Sequence, residues 1–293
     1  MKYIKISFCL FIISVLCHEA IFARRSGIRN RSDAYPGGYY NGDTLPVKTA
    51  YLTFDDGPSE WTEGILDTLK EEKVNATFFI CAYWNNKKMK GANSFRRHSN
   101  ALLRTVREGH VLGNHTAGHR VLTALSPAQI KKEFSLNQYY LDQVLGSETR
   151  SMTIIRPPLG KPWNRNRPLN AMIRVGSTVK NIGMVAMWTK KCDSTDSWDW
   201  ARGEWYRNSA RVDNRTESFL RKKERVYNRI ASCAEGNGIV ILFHDTHLVT
   251  KEVLSPVIKE LKRKGYVFRT MEDFTLWKYG RGSRELVGLK SSH

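Results

Sequence analysis

A chain of 293 residues, 41% hydrophobic and 11% aromatic, is long enough for one large α/β domain with a buried core and too apolar to remain disordered. A mean hydropathy of −0.46 and the lack of a long apolar stretch beyond residue 23 exclude a polytopic membrane protein. Forty-seven Lys and Arg against 28 Asp and Glu leave a net charge of +19, which favours anionic polymers or surfaces as surroundings without naming a partner.

Residues 1–23 read as a secretory signal peptide: Lys2 and Lys5 precede an apolar run at 6–16, and Ile21, Phe22 and Ala23 end in the small residue that signal peptidases prefer. That run falls short of the ~20 residues a spanning helix needs, so a secreted or periplasmic envelope protein with no integral span is expected. Residues 24–47, with Arg24, Arg25, Arg29 and Arg31 ahead of a Gly- and Tyr-rich stretch, read as a flexible linker. Once the signal is removed, Cys81, Cys192 and Cys233 remain. An odd count permits at most one bridge, and a Cys192–Cys233 bridge is not expected.

From residue 48 short apolar runs alternate with helical patterns. The runs at 50–54, 76–81, 110–112, 153–155, 182–188, 239–243 and 266–268 predict buried strands. Between them, 63–72, 127–145 and 251–264 predict helices; Ile130, Phe134, Leu141 and Leu145 share one face of the second, and Leu254, Ile258 and Leu261 one face of the third. Seven strands alternating with helices predict a mostly parallel sheet, open or closed into a barrel. The basic segment 83–99 and the Arg-, Lys- and Trp-rich segment 164–224 read as insertions, and 276–293 as a basic tail.

Chemistry-bearing residues fall at the predicted strand ends, where α/β sheets place their active sites. The first strand ends in Asp55-Asp56-Gly57-Pro58, which on its own could be a helix-capping turn. His115 and His119 are four apart and share a face if that segment starts a helix; alone they could be surface histidines. Two imidazoles and a carboxylate make a three-ligand site with an open position, which suits zinc or a related transition metal better than Mg²⁺ or Ca²⁺. Arg156-Pro157-Pro158-Leu159-Gly160 and Leu242-Phe243-His244-Asp245 end two further strands, and Asp196-Ser197-Trp198-Asp199-Trp200 lies between them.

With these residues in view the chain resembles the NodB-homology polysaccharide deacetylases, carbohydrate esterase family 4. Five motifs occur in the family order, TFDDGP at 53–58, HTAGH at 115–119, RPPLG at 156–160, DSWDW at 196–200 and LFH at 242–244, within a likeness spanning about 48–275. The resemblance implies a distorted (β/α)7 barrel forming a single catalytic domain. It implies that Asp56, His115 and His119 hold one divalent ion, zinc or another transition metal such as cobalt, and that Asp55 is the general base, paired with Arg156. His244 would be the general acid, with Asp199 orienting it and Trp200 packing over the pair. Leu242 would line the pocket for the acetyl methyl, Pro158 and Leu159 would contact the sugar, and the main-chain N–H near Leu159 could serve as an oxyanion donor. Leu159 replaces the family's usual aromatic, and Ala117 and Gly118 replace bulkier residues between the two histidines.

The implied activity is metal-dependent release of acetate from N-acetylglucosamine units of peptidoglycan or a chitin-like polymer, by a monomer. The alternative is a polysaccharide-binding envelope protein that keeps the barrel without turnover. Nucleic-acid binding lacks any recognised module, and the basic residues are dispersed. Trp61, Trp84, Trp163, Trp198 and Trp205 are candidates for sugar stacking, with two of them in the cleft and the others core or rim. His18, His98, His110 and His247 read as structural or surface residues.

Overall fold

The computed structural model describes residues 44–83, 94–161, 181–199, 204–205 and 217–288. The segment 1–23 read as a signal peptide, most of the 24–47 segment read as a linker, His18, Trp84, Trp163 and Trp200 lie outside the described residues. Each of the seven expected strands is present: β1 Thr49–Asp55, β2 Thr77–Ile80, β3 Val111–Asn114, β4 Ile154–Ile155, β5 Met184–Val185, β8 Ile239–His244 and β9 Val267–Phe268. All pair in parallel, in the order β5-β4-β3-β2-β1-β8, with β9 joining the start of β1. A separate antiparallel ribbon joins β6, Trp198–Asp199, to β7, Glu204–Trp205.

The helices among the described residues are α1 Thr62–Glu71, α2 Ser94–Arg97, α3 Ser99–Arg107, α4 Pro127–Leu145, α5 Glu217–Cys233, α6 Leu248–Arg263, α7 Met271–Tyr279 and α8 Ser283–Gly288. None is long and apolar enough to cross a membrane. The start of α4 follows from local chemistry. Ser126 accepts from the Gln129 N–H, Gln129 returns a bond to the Ser126 N–H, and Pro127 occupies the first turn, where a missing N–H costs nothing. α6 starts at Leu248, three residues before the position set by its apolar spacing, because Leu248, Val249 and Thr250 are buried as well. The stretch read as a tail is helical as far as Gly288. Leu286 is buried, and Ser283 Oγ lies 2.6 Å from Thr153 Oγ1, so the domain continues past residue 275.

Side-chain alternation along β1 divides the interior into two cores. Ala50, Leu52 and Phe54 face the helical layer with Ile65, Leu66, Leu254 and Ile258, and each fully buried Leu, Ile or Phe contributes about 1.5–3 kcal/mol. Tyr51 faces the other way, against Phe79, Val240 and Phe274. Thr53 and Asp55 continue the Tyr51 face, so the polar end of that face stands at the C-terminal edge of the sheet.

β5 and β8 do not pair directly. The strip after β5 reaches β8 instead: the Thr189 and Ser194 N–H groups donate to the Val240 and Leu242 carbonyls at 3.0 Å each, and Asp193 bridges Leu242. This strip closes the barrel as an irregular seam. A Cys192–Cys233 disulfide staples it to the end of α5, contrary to expectation, with the two Cα atoms 5.6 Å apart. Sequence separation hid the pair, whereas the closing seam brings the two residues together. Cys81 is a free, buried thiol.

Candidate active site

β1 supplies two acids in different settings. The register places Asp55 beside His244 of β8 on one side and Phe79 of β2 on the other. Asp55 Oδ1 accepts from Arg156 Nη1 at 2.7 Å, and Nη1 also donates to Thr53 Oγ1 at 2.8 Å. Arg156 is fully buried. Its Nε and Nη2 donate to the Ala186 and Met187 carbonyls at 2.9 and 3.0 Å, and its guanidinium lies over the Phe79 ring at 4.2 Å. A buried guanidinium whose three nitrogens each donate to a fixed acceptor is held in one orientation, and this one holds Asp55 in place.

Asp56 turns away from the strand with φ 76° and faces two imidazoles. Its Oδ1 lies 3.4 Å from His115 Nε2 and 3.2 Å from His119 Nε2, and ligand atoms of the three residues are all within 4.8 Å of one another. The His115 Nδ1–H donates to the Arg156 carbonyl at 2.7 Å, which leaves the Nε2 lone pair aimed at the acids. Burial, opposed in part by Asp56, lowers the His119 pKa and favours its neutral form. Burial would raise the Asp56 pKa, but His119, His115 and His244 outweigh it and hold the carboxyl far below its ordinary range. Asp56 Oδ1 is nonetheless buried with no hydrogen-bond partner. A carboxylate oxygen and imidazole lone pairs converging on one point repel each other unless a cation lies between them, so this donor set fits a divalent transition metal.

The 115–119 segment is a loop, not a helix. Thr116 and His119 adopt φ values of 68° and 50°, and Leu159, in the turn after β4, adopts 56°. Such non-glycine positions each cost about 1–3 kcal/mol and persist where surrounding structure holds them. With Asp56, four of the seven described non-glycine residues at positive φ belong to this one site. Leu159 is 55% exposed on its rim, with Pro158 and Leu242 buried behind it.

His244 ends β8. Its carboxylate partner is Asp196, not Asp199. Asp196 Oδ1 lies 2.7 Å from His244 Nδ1, and Oδ2 accepts from the His244 main-chain N–H at 2.7 Å and from the Thr250 hydroxyl at 2.6 Å. The Asp193–Leu242 bridge fixes this register, while Asp199 lies in the β6–β7 ribbon. Burial would lower the His244 pKa, but Asp196, with Asp56 and Asp55 adding to it, drives it up to about 10. This pull favours the imidazolium, the form from which a proton could be given up, over the neutral ring. Asp196→Asn removes the largest pull, so the alkaline limb of the kcat–pH profile is expected to move toward neutrality, with turnover near pH 8 falling about tenfold or more. An unmoved limb would separate Asp196 from the acid.

One further residue at the site, Thr250, does not stand out in the sequence, and another, His247, reads there only as structural or surface. Thr250 is fully buried in the first turn of α6, and its hydroxyl fixes Asp196; its only sequence signal is a polar residue among apolar ones. The His247 ring packs edge-on against His244 at 5.9 Å, which places it beside the site. Asp245, next to His244, lies beneath Gly57, where a Cβ would overlap its carboxylate. Its Oδ2 accepts from the Thr62 hydroxyl at 2.6 Å, and burial, augmented by Asp56, pushes its pKa up to about 7. Trp61 packs against the main core, and His110 is buried, accepting from the Ala76 N–H at 3.1 Å.

The chain's similarities agree with this geometry. A family model described as polysaccharide deacetylase matches residues 42–179. The putative polysaccharide deacetylase YheN of Bacillus subtilis is 33% identical over 227 residues, 77% of this chain and 68% of YheN. A peptidoglycan-N-acetylglucosamine deacetylase of Bacillus cereus is 28% identical over 229 residues, 77% of this chain and 70% of that protein. The peptidoglycan-N-acetylmuramic acid deacetylase PdaC of Bacillus subtilis is 28% identical over 225 residues, 76% of this chain but 38% of PdaC. The solved PdaC structure aligns with a TM-score of 0.57 at 27% identity, covering 84% of this chain and 97% of that one.

Proposed function

Because this chain belongs to the polysaccharide deacetylase family, we propose that it hydrolyses N-acetyl groups on N-acetylglucosamine units of a glycan, peptidoglycan or chitin-like, and releases acetate. The observation that carries the reading is the convergence of Asp56, His115 and His119 at the strand ends that also carry the Asp55–Arg156 and His244–Asp196 pairs. Asp56, His115 and His119 would hold one divalent ion, zinc foremost. Such an ion, when bound, lowers the pKa of water toward ~7 and polarises a carbonyl.

The chain's own residues supply the rest. Asp55 takes the proton from the attacking water, and Arg156 keeps its carboxylate aimed and unable to rotate. The Leu159 main-chain N–H, on a turn held at positive φ, donates to the oxyanion. His244 gives its proton to the departing amine, with Asp196 stabilising the imidazolium. Leu242 lines the recess for the methyl group, and Pro158 and Leu159 meet the sugar. Extracytoplasmic action on a wall polymer follows from the family and from the leader pattern at 1–23.

The test is acetate release from peptidoglycan and from N-acetylglucosamine oligomers, before and after chelation and with zinc restored. Activity lost on chelation and regained with zinc is expected. Glycan binding with no metal-dependent acetate would favour the non-catalytic envelope protein instead.

A further inference from the structure

The inner face of α4 is apolar at Ile130, Phe134, Leu141 and Leu145, yet it carries Glu133 and Asn137 one turn apart, 6% and 0% exposed. Burying an acid and an amide is unfavourable unless every polar atom finds a partner. Here the partners are the loops of the metal cluster. Glu133 Oε2 accepts from the Gly118 N–H at 2.8 Å, its main-chain carbonyl accepts from the Ala117 N–H at 3.1 Å, and its Oε1 lies 3.8 Å from Arg120 Nη1. One carboxylate thus grips both sequence neighbours of His119.

Asn137 does the same one level down. Its Nδ2 donates to the Ile80 carbonyl at 2.7 Å and to Asn114 Oδ1 at 2.9 Å, and its Oδ1 accepts from the Ala82 N–H at 2.9 Å. Asn114 Oδ1 in turn accepts from the Thr116 N–H at 3.0 Å, while Asn114 Nδ2 donates to the Phe134 carbonyl at 3.0 Å. The amides of residues 116, 117 and 118 therefore all end on α4 or on a side chain that α4 pins. The same stretch holds Thr116 and His119 in the left-handed region, which a free loop would leave.

We propose that Glu133 and Asn137 are positioning residues that set the affinity of the Asp56–His115–His119 cluster for its ion, an inference that rests on reading that cluster as a metal site. Their side chains touch main chain and Asn114 rather than the ion, and act by removing conformations in which the two imidazoles diverge.

Zinc affinity of the full chain, measured by competition with a chromophoric chelator, tests this without reference to turnover. Glu133→Ala should bind zinc about 10- to 100-fold more weakly than the parent. Glu133→Gln keeps an acceptor for the Gly118 N–H and should stay within a few-fold of it. Leu141→Ala, a core truncation on the same helix, should lower Tm without changing zinc affinity. Should Glu133→Ala fail to fold, Glu133→Asp, one methylene short of Gly118, supplies the same readout. Parental zinc affinity in both truncated variants, or an equal loss in Leu141→Ala, would overturn the inference. A parent chain that binds no zinc would overturn the metal reading and this inference with it.

Discussion

Asp55→Asn is expected to keep its zinc and lose turnover by about 10²- to 10⁴-fold, the range general-base catalysis supplies. The amide matches the carboxylate in shape and can still accept from Arg156 Nη1, but it cannot take a proton from water. Zinc should stay, because Asp56, His115 and His119, the three residues grouped as ligands, are untouched. The substitution strips the buried Arg156 of its anion, which typically destabilises by about 3–5 kcal/mol, so acetate release is to be measured at a temperature where circular dichroism shows the variant folded. Parental activity in the folded, zinc-loaded variant would remove Asp55 from the base position.

His119→Ala is expected to fail differently, losing zinc and activity together. Removing one of three ligands must weaken binding by more than the ~100-fold that losing an outer partner costs. The Asp56 carboxylate would then face a single imidazole, His115, at 3.4 Å. Metal content after dialysis, compared with acetate release across a zinc titration, separates the two variants: Asp55→Asn stays inactive with full occupancy, whereas His119→Ala binds no zinc at concentrations that saturate the parent. Full occupancy in His119→Ala would remove it from the ligand set.

The residues behind this contrast are legible in the sequence itself. Strand number and sheet direction were legible because seven short apolar runs alternate with helical periods, and the 127–145 helix was legible because Ile130, Phe134, Leu141 and Leu145 recur on one face. Asp55, Asp56, His115, His119, Arg156 and His244 stood out because each lies at a strand end. Asp196 did not, since two aspartates three residues apart in one loop look alike until the Asp193–Leu242 bridge sets the register. Thr250, Glu133 and Asn137 were hidden for a different reason. They sit on helices, and their partners are 15 to 57 residues away in sequence, which periodicity does not reveal. The disulfide belongs with them, because the seam that joins its halves has no regular pattern.

That staple braces one half of the site and not the other. Linking positions 41 apart restricts the unfolded chain by about 4 kcal/mol on the loop-entropy account, and it anchors the strip that carries Asp196 four residues past Cys192. The ion cluster hangs on β1, β3 and α4 and owes nothing to the staple. Reduction of the bridge is therefore expected to loosen the strip next to Asp196 while leaving Asp56, His115 and His119 together, with the Asp193–Leu242 bridge and the Thr250 hydroxyl still holding Asp196.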